Sequence, residues 1–273
     1  VNHKLLLLLM TSTLLCACAT SPTGRKQLML ISEGSAIQSS SEAYVQQVGQ
    51  MKKDGKLSTD AKLIKRINTV TGRLVSQAIL MRPATAKWSW SVAVISDPET
   101  VNAWCMAGGR MAIYTGLIEE IEPTDDELAQ VMGHEISHAL ANHTAEKMSI
   151  AMASGLGVLA VGIATDSQGV ALAGAAAATL AVTLPNSRAA ETEADRIGIE
   201  LAAKAGYNPE AAVTLWRKMN GLSKSRPPQF LSTHPNPENR EKKLAALVAQ
   251  MEVYYHPAAE HPVYALGGQP EFN

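Results

Sequence analysis

The stretch "HEISHALANH", residues 134–143, places three histidines and a glutamate among small and apolar neighbours. On an α-helix His134 and His138 stand one turn apart on the same face, so their imidazoles can converge on one ion. Glu135 projects beside them, about 100° from His134 and about 60° from His138, and its carboxylate can reach a metal-bound water without being a ligand itself. The chemistry this H-E-x-x-H spacing supports is metal-assisted hydrolysis with the glutamate as base. The same residue types also suit an ordinary solvated helix face, and a pattern with three fixed positions recurs by chance.

A catalytic zinc keeps three protein ligands and an open position, so a third ligand must come from elsewhere. His143 is a poor candidate. On a continuous helix it projects about 140° from His138, toward Met132, Ile136 and Ala139. Its spacing also misses the three-histidine pattern, which would put Gly at Ala141 and the last His at Thr144. It reads as a buried histidine that supports the site. The segment "ETEAD" offers Glu191, Glu193 and Asp195. Glu191 and Asp195 share a helical face, and Glu193 points roughly the other way. With Glu191 on the ion, Asp195 can hydrogen-bond a ligand imidazole and fix its tautomer. Arg188, one turn earlier, could tether the cluster. Away from an H-E-x-x-H helix the same residues would read as a solvated acidic face paired with Arg196 or Lys204.

The elements that must carry these residues are mostly helical. Residues 33–80 read as two helices around the turn "DGKLST". A strand follows from Trp88 in "WSWSVAVI", and "NAWCMAGGRMAIYTG" reads as a hairpin about Gly108 and Gly109. Thr124 and Glu127 carry a capping-box signature for a helix running to about Lys147. Gly133 inside it costs about 1 kcal/mol against Ala, which implies close approach by another element beside His134. The helix of "SRAAETEADRIGIELAAKAG" stops at Gly206, Asn208 caps the next, a loop spans Leu222–Pro237, and a last helix starts at Asn236–Pro237. Residues 148–184 are almost all small or aliphatic and read as two tightly packed core helices or as a hairpin dipping into a bilayer surface. The expected fold class is α+β, mostly helical, with a small sheet beside the H-E-x-x-H helix. The chain's 273 residues suffice for one sizeable core, and a net charge of −1 argues against a nucleic-acid partner.

The opening "VNHKLLLLLMTSTLLCAC" resembles a bacterial lipoprotein signal. Lys4 is basic, and the apolar run Leu5–Leu15 is too short for an ordinary membrane span. "LCAC" sets Leu15 three residues before Cys18, as in a lipobox. The resemblance implies cleavage before Cys18, a diacylglycerol thioether there, and acylation of the new amino terminus. Several acyl chains anchor durably where one does not. Ala19 in the next position implies the outer membrane. Residues 1–17 would then be the signal peptide, 18–35 a lipidated tether, 36–253 the catalytic domain and 254–273 a weakly ordered Pro/Gly-rich tail. Cys105 would be the remaining thiol, a small buried hydrophobe that can form no internal disulfide.

"HEISH", "SRAAETEADRIG" and "STHPNPENR" together resemble the periplasmic zinc metallopeptidases of the LoiP and BepA kind. These are relatives of HtpX, of the Oma peptidases and of the CAAX-prenyl protease. The likeness runs from "SPTGRKQL" to about residue 253. It implies a gluzincin fold, one zinc ion per chain, His134, His138 and Glu191 as ligands, and Glu135 as base. It also draws attention to His234 and Arg240. Each could steady the negative charge that builds on the carbonyl oxygen, or be a loop histidine and a salt bridge. The matching histidine of the family lies close enough to the metal to be an extra ligand at rest. An extended substrate would add to an edge of the hairpin, at Asn102, Ala103, Trp104, Cys105, Met106 and Ala107 or at Arg110–Tyr114. The expected activity is zinc-dependent endoproteolysis of unfolded or misassembled envelope proteins, at the outer membrane and facing the periplasm. The rival reading is a chaperone or assembly lipoprotein with a structural zinc.

Overall fold

A computed structural model describes residues 18–165, 187–222, 229–234 and 239–267. The chain opens with a short antiparallel pair, β1 (Cys18–Thr20) and β2 (Lys26–Leu28), in register Ala19↔Gln27. Two long helices follow. Ser32 caps α1 (Glu33–Lys53) by accepting from Ser35 N, and Asp60 caps α2 (Ala61–Met81) by accepting from Lys62 N and Leu63 N. The chemistry-bearing sheet has β3 (Ser91–Ile95), β4 (Ala103–Cys105) and β5 (Arg110–Tyr114) in the order β3-β5-β4. β5 runs parallel to β3 and antiparallel to β4. Gly108 and Gly109, at φ 88° and 82°, make the β4–β5 turn in the left-handed region that glycine adopts without strain.

After α3 (Thr115–Ile121) comes α4 (Asp125–Leu140), whose capping box of Thr124 and Glu127 forms as the spacing predicts. Every residue of α4 from Glu127 to Leu140 is buried. Its apolar side joins Leu128, Met132, Ile136 and Leu140 to the main core with Leu74, Met111 and Leu117. Its polar residues are therefore buried as well, and each needs a partner inside the protein. The helix does not continue to Lys147. It ends at Ala141, Asn142 turns at φ 56°, and a second helix, α5 (His143–Thr165), starts there. The helix of residues 187–204, α6, ends in a Schellman turn, with Tyr207 N on Ala202 O and Gly206 N on Ala203 O. Then come α7 (Ala211–Leu222), the short α8 (Gln229–Thr233) and α9 (Arg240–Met251). The loop expected at Leu222–Pro237 thus contains a helix; α9 starts at Arg240 after a left-handed Asn239 at φ 63°, and the start expected at Asn236–Pro237 lies outside the described residues.

The described segments on either side of the domain, 18–35 and 254–267, depart from expectation. The stretch 18–35 is no loose tether, because Gln27 is buried, donating to Ala141 O, and Ile31 N donates to Ser149 Oγ. Nor does 254–267 hang free. Tyr264 N donates to Gly72 O and Gly267 N to Trp90 O, laying the segment along α2 and the outer edge of β3. Composition alone misled here: Pro and Gly suit an extended strap as well as a disordered one. The hairpin reading of 148–184 falls largely outside the described residues, of which α5 covers the first part. Among the described residues no helix is long and apolar enough to cross a membrane.

Candidate metal centre

The site forms where α4 crosses α6. A Cβ on Gly133 would lie 2.9 Å from Gly198 O, so the two helix backbones meet without side chains between them. This close approach, expected from Gly133, lets a glutamate two turns before Gly198 reach the histidines of α4. His134, His138 and Glu191 converge, and His234, just beyond α8, joins them; one donor atom of each lies within 4.8 Å of all the others. His134 Nε2 stands 3.1 Å from His138 Nε2, 3.2 Å from His234 Nδ1 and 3.2 Å from Glu191 Oε2. His138 Nε2 is 3.5 Å from Glu191 Oε1. A ring nitrogen has a single lone pair or a single hydrogen, so hydrogen bonds cannot account for three such neighbours. A shared cation can: tetrahedral ligands about 2.0–2.1 Å from zinc are about 3.3 Å apart. The donor set therefore fits a zinc ion.

Glu135 supplies a second sign. Its Oε1 is buried with no hydrogen-bond partner, and His234 Nε2 is 3.3 Å away without making one. Burial pushes the Glu135 carboxyl up, against the pull of His234 and His134. A buried acceptor beside a cluster of ligand atoms is where a reacting water would be held.

Around the cluster, Asp195 Oδ1 lies 3.1 Å from His134 Nδ1, the position that fixes its tautomer. Burial pulls the His134 imidazole down, but the Asp195 and Glu191 carboxylates outweigh it and lift it to about 9. Arg240 is 2% exposed, with its guanidinium 2.5 Å from Asp195 Oδ1 and stacked 3.7 Å from the Trp216 ring centroid. It reaches Glu191 at 3.5 Å as well. Arg240 thus takes the tethering place expected of Arg188, which is exposed on α6. Committed to two carboxylates and a ring, Arg240 holds the site's acids rather than facing the substrate. Phe230 stacks on His234, ring centroids 4.6 Å apart, and Phe230 N donates to Val101 O, tying α8 to the strand that enters β4.

His143 is buried and bonds His138, but by a different route from the helical projection. The break at Asn142 swings it back, so that its Nδ1 stands 2.8 Å from His138 Nδ1 and its Nε2 3.2 Å from Glu193 Oε2. Sequence reasoning missed Phe230 and Trp216, and it missed Arg25, Thr23 and Gln27, which lie over a hundred residues from their partners. The only signal was the polar "SPTGRKQ" run itself.

β4 is an outer strand, and the flanking Asn102 O and Met106 N bond β5, so the backbone groups of Ala103 and Cys105 point away from β5; Ala103 is fully buried and its N donates to Asn102 Oδ1. β5 is central and paired on both sides, which rules out Arg110–Tyr114 as a docking edge. Cys105 is buried, and burial pushes its thiol well above the ordinary range, as befits an inert residue.

The sequence profile described as peptidase family M48 matches residues 62–248. The chain is 39% identical to mitochondrial metalloendopeptidase OMA1 of Arabidopsis thaliana over 159 residues, covering 58% of this chain and 31% of the relative. It is 31% identical over 195 residues to the protein of that name in Schizosaccharomyces pombe, covering 71% and 53%. Over 203 residues it is 32% identical to the β-barrel assembly-enhancing protease of Escherichia coli, covering 71% and 40%. The matched region thus spans between about a third and about half of each of these relatives.

Proposed function

The chain belongs to peptidase family M48, and from that premise we propose that it is a zinc-dependent endopeptidase that degrades misfolded or misassembled proteins of a bacterial cell envelope. The observation that carries the catalytic part is the convergence of His134, His138, Glu191 and His234 beside the unpaired Glu135 Oε1. A zinc ion in that cluster would polarise the scissile carbonyl and acidify a water. His134, His138 and Glu191 are the proposed permanent ligands. An extended peptide adds along the outer edge of β4, where it displaces the Asn102 carboxamide from Ala103 N; β4 packs on α4 beside Glu135. Backbone pairing reads no side chains, so specificity is broad. Glu135 takes a proton from the attacking water and passes it to the leaving amine. Asp195 keeps the His134 proton on Nδ1, leaving Nε2 free to ligate. His234, once off the cluster, offers an N–H to the oxyanion.

The envelope part rests on the lipobox ending at Cys18 and on likeness to a relative named for β-barrel assembly. The proposed partners are envelope proteins and the membrane that holds the lipidated Cys18.

The test is Glu135→Gln in purified full-length protein. Zinc content stays near one per chain while hydrolysis of an unfolded protein falls by about 10²–10⁴-fold, the range for losing a general base. Retained turnover rejects the mechanism. A zinc-loaded wild type that cleaves nothing favours the chaperone reading.

A further inference from the structure

The run "SPTGRKQ", residues 21–27, has no part in the reaction as described, yet three of its side chains, Thr23, Arg25 and Gln27, bond buried carboxylates. Arg25 Nε donates to Glu193 Oε2 at 2.7 Å, and Nη1 and Nη2 donate to the two Glu146 oxygens at 2.7 and 2.6 Å. Thr23 Oγ1 donates to Glu193 Oε1 at 2.5 Å, and Gln27 Nε2 to Glu146 Oε2 at 2.9 Å. Glu146 and Glu193, on α5 and α6, are 3% and 4% exposed. One planar fork from the amino-terminal hairpin therefore ties together two buried carboxylates on different helices. A lysine, a point charge without that fork, could not serve both in this geometry.

Glu193 leads on to the metal cluster. For His138 to offer its Nε2 lone pair, its proton must sit on Nδ1. Nδ1–H then donates to His143 Nδ1 at 2.8 Å, which requires the His143 proton on Nε2. That Nε2–H donates to Glu193 Oε2 at 3.2 Å. The tautomers of both rings are thus set by one carboxylate, and the carboxylate is set by Arg25 and Thr23. We propose that Arg25 is a positioning residue of the metal centre, acting through Glu193 and His143 on the orientation and tautomer of His138. The inference rests on reading His138 as a metal ligand. It makes the hairpin directly after Cys18 part of the site's support. Without the Arg25 fork, Glu193 can rotate off His143, and the His138 ring loses the acceptor that holds it.

The experiment measures zinc affinity of the full chain by competition with a chromophoric chelator. Loss of an outer partner of a metal-binding histidine typically costs about 10–100-fold, and Arg25→Ala should fall in that range. His143→Ala should weaken zinc comparably, and Arg25→Ala/His143→Ala should be no weaker than His143→Ala, because the arginine acts through the histidine. Arg66→Ala, which removes a pair with Asp125 and a bond to Pro123 O at the end of α4 away from the cluster, should leave affinity unchanged. In the cobalt-substituted protein, the exchangeable, hyperfine-shifted Nδ1–H resonance of His138 should exchange with water faster in Arg25→Ala than in wild type. If Arg25→Ala fails to fold by circular dichroism, Arg25→Lys takes its place, with an intermediate loss expected. Unchanged zinc affinity in the folded variant, or losses that add in the double variant, overturn the proposal. A wild type that binds no zinc overturns the reading of the metal centre beneath it. A wild type that binds zinc, with Arg25 variants that bind it equally, overturns only this step.

Discussion

Gly133 and Gly198 meet backbone to backbone: a Cβ on Gly198 would stand 2.9 Å from His134 N, and one on Gly133 2.9 Å from Gly198 O. The contact joins the helix that carries both histidines to the helix that carries Glu191, and neither backbone can yield as a flexible side chain would. Gly198→Ala should gain about 1 kcal/mol of helix propensity and lose about 1–3 kcal/mol by forcing the helices apart. The expected net result is a lower melting temperature together with weaker zinc retention, read by calorimetry and by metal content after dialysis. A stabilised variant with full zinc would show that the close crossing does not set the site.

Glu127 gives the active helix an acid-sensitive start. Burial pushes its carboxyl up, but hydrogen bonds from Lys218, Thr124 N and Thr214 outweigh it and hold it below the usual range. A carboxyl lowered in the folded state contributes stability that is present above its unfolded value and is lost as pH falls through the folded one. Wild type should therefore lose more stability than Glu127→Gln on going from roughly pH 6 to pH 3. Urea melts at stepped pH check this; parallel losses in the two proteins would remove Glu127 from the acid response.

Much of this was legible in the sequence because it is local. The i,i+4 spacing of His134 and His138, the capping box at Thr124 and the phase that separates Glu191 and Asp195 from Glu193 are properties of single helices. What was missed is long-range or depends on one backbone angle. Asn142 at φ 56° breaks the helix and turns His143 onto His138, which no periodicity reveals. Arg25 finds Glu193 168 positions away, and the partner of Arg240, a residue the resemblance had singled out, is Asp195, 45 away. Such pairs exist only once the helices have packed.

The proposed lipidation at Cys18 has a geometric consequence. Cys18 opens β1 and pairs with Leu28, so the hairpin carrying Arg25 follows the proposed anchor with almost no free chain between. Palmitate labelling in cells should mark wild type and not Cys18→Ser. The Cys18→Ser protein should keep its zinc, because the hairpin is held by Thr23, Arg25 and Gln27. An unlabelled wild type would reject the anchor and leave the peptidase reading standing.

His234 Nδ1 occupies the fourth donor position, 3.2 Å from both His134 Nε2 and Glu191 Oε2, while its Nε2 faces Glu135 Oε1 at 3.3 Å. With zinc held by the cluster, this one ring would block both the coordination site a substrate needs and the base. Exchange of one imidazole for water would be a small enough change for substrate binding to drive, with His234 one residue beyond the α8 that Phe230 anchors. Activity of His234→Ala is a poor measure, because the variant loses the block and the oxyanion donor together. Coordination is a cleaner one. X-ray absorption of the substrate-free zinc protein should show three imidazoles in wild type and two in His234→Ala, with an added oxygen scatterer. Two imidazoles in both proteins would reject the resting ligand and leave His234 a donor to the oxyanion only.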